Sequence, residues 1–401
     1  MRCTLILSDL TYPPSQGLHE QSLATARLLA GLSREFQIFI YCKDSRALDE
    51  AALLRELPGD PEVTIIPYDG SHIRRGWSNL LLGTMRPTEK NIASEVARFN
   101  PDFVHLDMAV AAGLHRVFRN IPGVISWMDP GSRRQFRFAF AARGRTRVPH
   151  FAAGLMFFLF EILCRSRNKV WHIVSPSDER YMKRAHSGQH VVQIPVSMTS
   201  LGGSAATDLR AEDISGADRY SGTKALIFLD LRVPHLYASF ESLVEECLLP
   251  LAASGLTVRY TLLGRVDADD RLKSLCKGLE MDYLVWVDDF VGTLAGFDFV
   301  VLPDRVGTGL KTRAVHALAA GCAVIGTSFA FEGIELQTGR HAVVADSWLE
   351  WREGIRQLAT DSHLRNRLKL CAPESAAPFE ADAVASRWED LYKRLPGRVV
   401  F

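Results

Sequence analysis

A chain of 401 residues carries roughly two to three domains of ~150 residues, which excludes a single small binding module. With 47% hydrophobic and 23% charged residues it can bury a sizeable core, so wholesale disorder is excluded as well. The formal charge of +1 hides an asymmetry: residues 1–200 hold 25 Lys and Arg against 18 Asp and Glu, while residues 201–401 hold 22 against 28. The basic excess is too weak for a nucleic-acid binder, and nucleic acid is not expected as a partner.

The seven cysteines, Cys3, Cys42, Cys164, Cys247, Cys276, Cys322 and Cys371, are scattered without a CxxC pair. No disulfide framework and no metal site is expected from such spacing. The opening MRCTLILSDL has a short apolar run ended by Asp9 and lacks the longer apolar region of a signal peptide, so a cytoplasmic location is expected.

Along the chain, CTLILSD (3–9) reads as a first strand, followed by the turn-rich TYPPSQG (11–17) and a helix over 19–32. FQIFIYC (36–42), VTIIPY (63–68), FVHLD (103–107) and VISWMD (124–129) continue as short apolar strands, the pattern of a parallel sheet covered on both faces. Residues 171–185 read as a strand leading into a helix, and 190–198 as a closing strand. The stretch 199–222, rich in Gly, Ser, Asp and Ala without apolar periodicity, reads as a linker.

A second alternating series follows. KALIFLDL (224–231) is a strand, 239–255 a helix, 256–264 a strand, and FDFVVLP (297–303), LKTRAVHALAAG (310–321) and CAVIGTS (322–328) form a strand, helix, strand unit. Residues 381–395 have helical periodicity and predict a terminal helix, outside the second domain and packed back on the first. The expected fold is α/β, two Rossmann-like doubly wound domains facing across a cleft, where ligand sites of such folds lie. The expected boundaries are 1–198, the linker 199–222, 223–376 and the terminal helix segment 377–401.

The sharpest local signal is DRVGTGLKTRAVHALAAG (304–321). Gly307 and Gly309 would let the backbone approach an anion at the start of the following helix, whose free amides and dipole attract negative charge, with Lys311 and Arg305 as counter-charge. A diphosphate fits this chemistry; an ordinary turn with a solvated lysine fits the same spacing. The loop is neither a Walker A sequence nor GxGxxG, since Leu310 precedes Lys311 and Thr312 stands at the third glycine position. Near the N-terminus, Gly17 stands directly before a helix and aims amides at the same edge of the first sheet, unless it is a plain surface turn.

Residues 133–169 hold nine Arg and Lys against Glu161 alone, a net +8, interleaved with Phe136, Phe138, Phe140, Phe151, Phe157, Phe158 and Phe160. The apolar FAAGLMFFLF (151–160) is about half of the ~20 residues needed to cross a bilayer, so no span is expected. Contact with an anionic membrane surface is expected from this composition, against the alternative of a core helix beside a solvated basic loop.

These residues carry a family resemblance. SDLTYPPSQG, SWMDPGSRRQFR, HIVSPSDERYM, VVQIPVSM and FDFVVLPDRVGTGLKTRAVHALAAGCAVIGTSFAFEGIE together resemble the GT-B glycosyltransferases, nearest to the retaining family 4 group and its G-T-G-x-K subgroup. The resemblance implies that the first domain receives the acceptor and the second holds a nucleotide-sugar. It implies sugar transfer with retention of configuration and without metal or other cofactor, the nucleotide-sugar (UDP- or GDP-linked) being a co-substrate.

The implied donor and diphosphate set is Gly17, Arg305, Gly307, Thr308, Gly309, Leu310, Lys311, His316 and Glu332. Two glutamates that mark the family fall here on Thr308 and His316, and its Gly-Gly after the first strand is Gln16-Gly17. Lys311, Arg305 and Arg232 are expected to neutralise the leaving group, although Arg232 also suits a surface ion pair. Asp129 is placed to orient the acceptor hydroxyl or take its proton, or else to cap a turn. His19 and Glu20 fall on the acceptor side. A saccharide or lipid-linked saccharide acceptor, in assembly of a cell-surface polysaccharide at the inner face of the membrane, follows from the likeness and the basic segment. The alternative is a catalytically silent GT-B protein that binds a partner transferase or a glycan.

Overall fold

The computed structural model describes residues 2–8, 10, 17–42, 48–59, 61–68, 71–83, 86–142, 144–198, 222–265, 270–285, 287 and 290–395. The expected linker, apart from residue 222, lies outside the described residues, as do Thr11–Gln16 and Arg143. The chain divides into two compact units, residues 1–199 with 381–401, and residues 200–380.

The first unit is built on a seven-stranded sheet of β1 (Arg2–Ser8), β2 (Glu35–Cys42), β3 (Glu62–Pro67), β4 (Phe103–Asp107), β5 (Gly123–Met128), β6 (Lys169–Ile173) and β7 (Val191–Gln193), in the order β3-β2-β1-β4-β5-β6-β7. Every pairing is parallel. Helices cover both faces, so β1, β4 and β5 are buried almost end to end and read in sequence as unbroken apolar runs. Strand order reverses between β1 and β4, the switch point at which doubly wound sheets leave a crevice.

The terminal helix Ala381–Lys393 belongs to this first unit. Trp388 lies 4.4 Å from the His172 ring and 5.4 Å from that of His105, and Tyr392 stacks on Phe103 at 5.1 Å. The Tyr392 hydroxyl meets His105 Nδ1 at 2.8 Å. Both histidines are buried, which lowers their pKa to about 3 (His105) and about 4 (His172), so they are neutral polar links between sheet and helix.

The second unit has six parallel strands, β8 (Thr223–Phe228), β9 (Val258–Leu263), β10 (Glu280–Leu284), β11 (Phe299–Leu302), β12 (Val324–Gly326) and β13 (Val343–Val344), in the order β10-β9-β8-β11-β12-β13. The doubly wound α/β reading therefore holds for both units. Three details differ from the sequence reading. The helix after β11 starts at Thr312, with Lys311 as its N-cap, rather than at Leu310. The helix after β8 starts five residues early, because Pro234 suits a first turn where no amide is needed. Strands β10 and β13 and the helices Trp348–Thr360 and Ser362–Ala376 were not anticipated. β10 reads EMDYL and lacks an apolar run, and β13 is two residues long.

The basic segment folds as two helices, Gly131–Ala141 and Arg147–Leu163, joined through a short 3₁₀ turn at Gly144–Thr146. The ten apolar residues 151–160 lie inside a longer helical stretch, Gly144–Leu163, of 20 residues, in which an 18-residue window has mean hydropathy 1.3, enough by length and composition alone to cross a membrane. Only 17% of that window is buried, unlike a core helix. Val148, Phe151, Leu155, Leu159 and Ile162 are all exposed, and their spacing of i, i+3, i+7, i+11 and i+14 makes one stripe. The opposite side is anchored. Phe160 packs on Trp77 at 5.2 Å and on Trp127 at 5.9 Å. Buried Glu161 accepts from the Ser132 amide at 3.0 Å and the Ser132 hydroxyl at 2.6 Å, and meets His186 Nε2 at 3.1 Å.

Candidate functional site

In the second unit, β8 and β11 are neighbours at the point where strand order reverses, and the chain leaving each carries charge. After β8 come Asp230 and Arg232; after β11 come Asp304, Arg305 and the loop to Lys311. Polar groups gather here because the carboxyl ends of the two strands diverge into helices on opposite faces and leave their connecting loops uncovered.

The loop needs its two glycines. Gly307 has φ +138° and Gly309 φ +72°, values that side-chain-bearing residues avoid, so the chain can turn twice between β11 and the helix. Lys311 is buried at this turn. Its ammonium donates to the Gly309 carbonyl at 3.0 Å, stands 3.6 Å from Glu332 Oε2 and lies 3.8 Å from the centroid of the Phe329 ring. No side chain caps the helix Thr312–Ala319, leaving its positive end available to an anion.

Beside the loop stands a buried ion pair that spacing does not reveal. Arg313 bonds Asp304, and the nearby Asp230 carboxylate adds to its field, while burial lowers the arginine's pKa to about 10. Asp304 Oδ2, Arg313 Nε and His316 Nδ1 are buried without a hydrogen-bond partner among the described residues. Such orphaned atoms each cost on the order of 1–3 kcal/mol, and a polar ligand at this edge would satisfy them. His316 packs edge-on against Phe290 at 5.8 Å, and burial lowers its pKa, so the ring is neutral and can accept or donate a single hydrogen bond.

The structure brings Arg305, Gly307, Thr308, Gly309, Leu310, Lys311, His316 and Glu332 to this loop, its helix and the turn after β12. Arg305 is exposed, its guanidinium 4.6 Å from the centroid of the Trp348 ring. Arg232 sits in an ion pair with Asp230 at 3.7 Å, where Asp230 is also held by Arg265 at 2.6 Å. Asp304, Arg313, Asp230, Arg265 and Phe329 escaped the sequence reading. The one signal for Arg313 was its place two residues after Lys311 in LKTR.

In the first unit, polar groups at the carboxyl ends of β1 and β4 bond to one another. Ser8 Oγ donates to the Asp107 carbonyl and accepts from the Ala111 amide at 2.9 Å, and Ser22 donates to Asp107 Oδ2 at 3.0 Å. Asp129 follows β5 and accepts twice from Arg134, both at 3.2 Å; it caps no helix, since the N-cap is Pro130. Met108 and Met128 hold φ +58° and +60° at the ends of β4 and β5, strained positions for residues with side chains. Gly17, His19 and Glu20 lie in the helix Gly17–Leu32, but their side chains fall outside the described residues. Among the described residues no group of three or more His, Cys, Asp or Glu side chains is placed to hold a metal ion.

Residues 232–361 match the family described as glycosyl transferases group 1, a span that contains the whole loop, Arg313, His316 and Glu332. No curated protein matches the chain. Among solved structures, the chain is similar to sucrose-phosphate synthase from Thermosynechococcus elongatus at TM-score 0.68 and 14% identity, over 98% of this chain and 99% of that one. It is also similar to HepE from Anabaena, in a complex with UDP and glucose, at TM-score 0.65 and 12% identity, over 98% and 99%. The glycosyltransferase WaaG, involved in lipopolysaccharide biosynthesis, follows at TM-score 0.65 and 14% identity, over 98% and 100%. The chain has the two-domain GT-B fold of these proteins, and its second unit carries a glycosyl transferase group 1 segment around the charged loop.

Proposed function

We propose that this glycosyltransferase fold moves a sugar from a UDP- or GDP-linked donor to a saccharide or lipid-linked saccharide acceptor, with retention of configuration and without a metal ion. The reading rests above all on one observation: the group 1 match falls on the loop that joins paired glycines, an uncapped helix start and orphaned buried polar atoms. Departure of a nucleoside diphosphate builds up negative charge. In this reading the helix amides, Lys311 and Arg313 receive the diphosphate, and Arg305 and Arg232 stand in reserve at the rim. His316 would take the place of a carboxylate at the ribose hydroxyls, as a neutral hydrogen-bonding ring. Asp129, held by Arg134, is the group assigned to the acceptor hydroxyl.

The HepE complexes with UDP and with UDP-glucose concern that protein, and they support UDP as the first nucleotide to try here. Assembly of a cell-surface polysaccharide, at a membrane reached through the exposed stripe of helix Arg147–Leu163 and its arginine rim, completes the reading. A panel of UDP- and GDP-sugars, assayed for transfer to extracted saccharide acceptors with NMR of the product linkage, tests it. Transfer that preserves the anomeric configuration and persists in EDTA supports the proposal. Absence of turnover with every donor, or an inverted product, would refute it.

A further inference from the structure

On the first unit, where the helices that follow β5 and β6 begin, a cavity of about 460 Å³ is lined by Arg133, Ser177, Arg180, Tyr181 and Arg184. Its wall is built rather than incidental. Arg133 donates to Ser177 at 2.9 Å and is held by buried Asp178, with its guanidinium 5.9 Å from the centroid of the Tyr181 ring. The Tyr181 hydroxyl meets that of Ser132 at 2.9 Å, itself fixed by Glu161, so the two helices that flank the cavity are locked together.

The charges do not balance. Arg180 and Arg184 stand four residues apart on the helix Pro176–Ala185, a spacing at which like charges repel. The acids of that helix are committed elsewhere, Asp178 to Arg133 and Glu179 to Lys183 at 2.8 Å. Among the described residues neither Arg180 nor Arg184 has an ion-pair partner, and both are exposed. Two uncompensated guanidiniums beside a Ser and a Tyr hydroxyl match the charge and the acceptor oxygens of a phosphomonoester better than a single carboxylate.

A second, apolar groove lies farther along the same helix. Arg133, Arg137 and Phe140 lie on one stripe of the helix Gly131–Ala141, and Phe140 is about 10 Å along its axis from Arg133. There Phe140, Phe151 and Leu155 line an apolar groove. We propose that the Arg133, Ser177, Arg180, Tyr181 and Arg184 pocket binds the phosphate of an anionic amphiphile whose apolar chain continues over Phe140 into this groove. The inference leans on the membrane-facing reading of the helix pair but not on sugar transfer.

Calorimetry with soluble dihexanoyl phosphatidic acid and with orthophosphate tests it directly. The expected result is that the lipid binds at least about tenfold more tightly than orthophosphate, since chain burial adds to the headgroup contacts. The doubly substituted Arg180→Gln, Arg184→Gln protein is expected to lose about tenfold of that affinity, whereas Arg145→Gln, Arg167→Gln, with the same charge removed from the rim, keeps it. Equal losses in both variants, or equal binding of lipid and orthophosphate, would overturn the proposal. Sedimentation with phosphatidylcholine vesicles carrying phosphatidic acid or phosphatidylglycerol at matched charge adds a separate arm. A preference for phosphatidic acid that vanishes only in the Arg180, Arg184 variant supports the pocket. Failure to bind any vesicle while soluble lipid is still captured would sink the membrane reading and leave the pocket standing.

Discussion

The two sheets share a winding order and differ in how their switch points handle polar groups. At β1 and β4 the first unit answers its own polarity: Ser8, Ser22 and Asp107 satisfy one another, and Asp129 is taken by Arg134. At β8 and β11 the second unit leaves Asp304 Oδ2, Arg313 Nε and His316 Nδ1 buried and unanswered around a loop with two left-handed glycines. The same topology thus gives one pair of strand ends whose described polar side chains bond to one another, and one whose orphaned groups a polar ligand would satisfy. The helices that follow β5 and β6 in the first unit also carry an exposed apolar stripe and an arginine pair without an ion-pair partner among the described residues.

The sharpest way to break this contrast is to disturb one unit and watch the other. Trp388→Ala removes the ring that seals the terminal helix against His105 and His172, and is expected to cost about 3–5 kcal/mol. Urea unfolding followed by hydrogen exchange should show the loss in the first unit, with the second unit's β8 and β11 amides unchanged. Equal loss in both would contradict the assignment of residues 381–401 to the first unit.

Arg313→Ala does the converse, stranding buried Asp304 without its partner at a cost of about 3 kcal/mol. Pairing it with Asp304→Asn should recover much of that loss in thermal denaturation, because the stranded charge is gone. Additive losses would mean that the two side chains do not act as a pair.

Much of this was legible in the chain itself. Apolar runs such as CTLILSD and FDFVVLP pointed to buried parallel strands because both faces of such strands are covered, and GTGLKT marked a turn that only glycine can make. The Ser347–Glu350 capping box was equally present in the letters and went unused. Other features had no linear trace. Arg313 meets Asp304 across a loop, Asp230 joins them from another strand, and the arginine pocket gathers Arg133 and Arg180 from two helices. Charged partners that meet only in three dimensions leave no period to read.

Acid sharpens the comparison further. His105 and His172 are neutral in the folded protein down to about 3 and about 4, whereas in the unfolded chain they take up protons below the ordinary ~6.5. The unfolded state therefore binds more protons as pH falls, and stability is full above that range and declines below it. The expected slope is about 1.4 kcal/mol per pH unit for each histidine. Urea midpoints measured between pH 7.5 and 5 should fall for the first unit; a flat profile would mean that the two rings are not buried as described.

The smallest expected change is Gly309→Ala, about 1 kcal/mol at a φ of +72°, read by thermal denaturation. A larger loss of nucleotide affinity than of stability would place the loop's shape, rather than its strength, at the centre of binding.

Calorimetric titration of UDP and of GDP into the intact chain and into Lys311→Gln tests the central claim most directly. The account predicts that one nucleotide binds the wild-type protein and binds the variant at least about tenfold more weakly, as loss of one charged contact to a phosphate implies. Binding of neither nucleotide, or equal binding to both proteins, would contradict it.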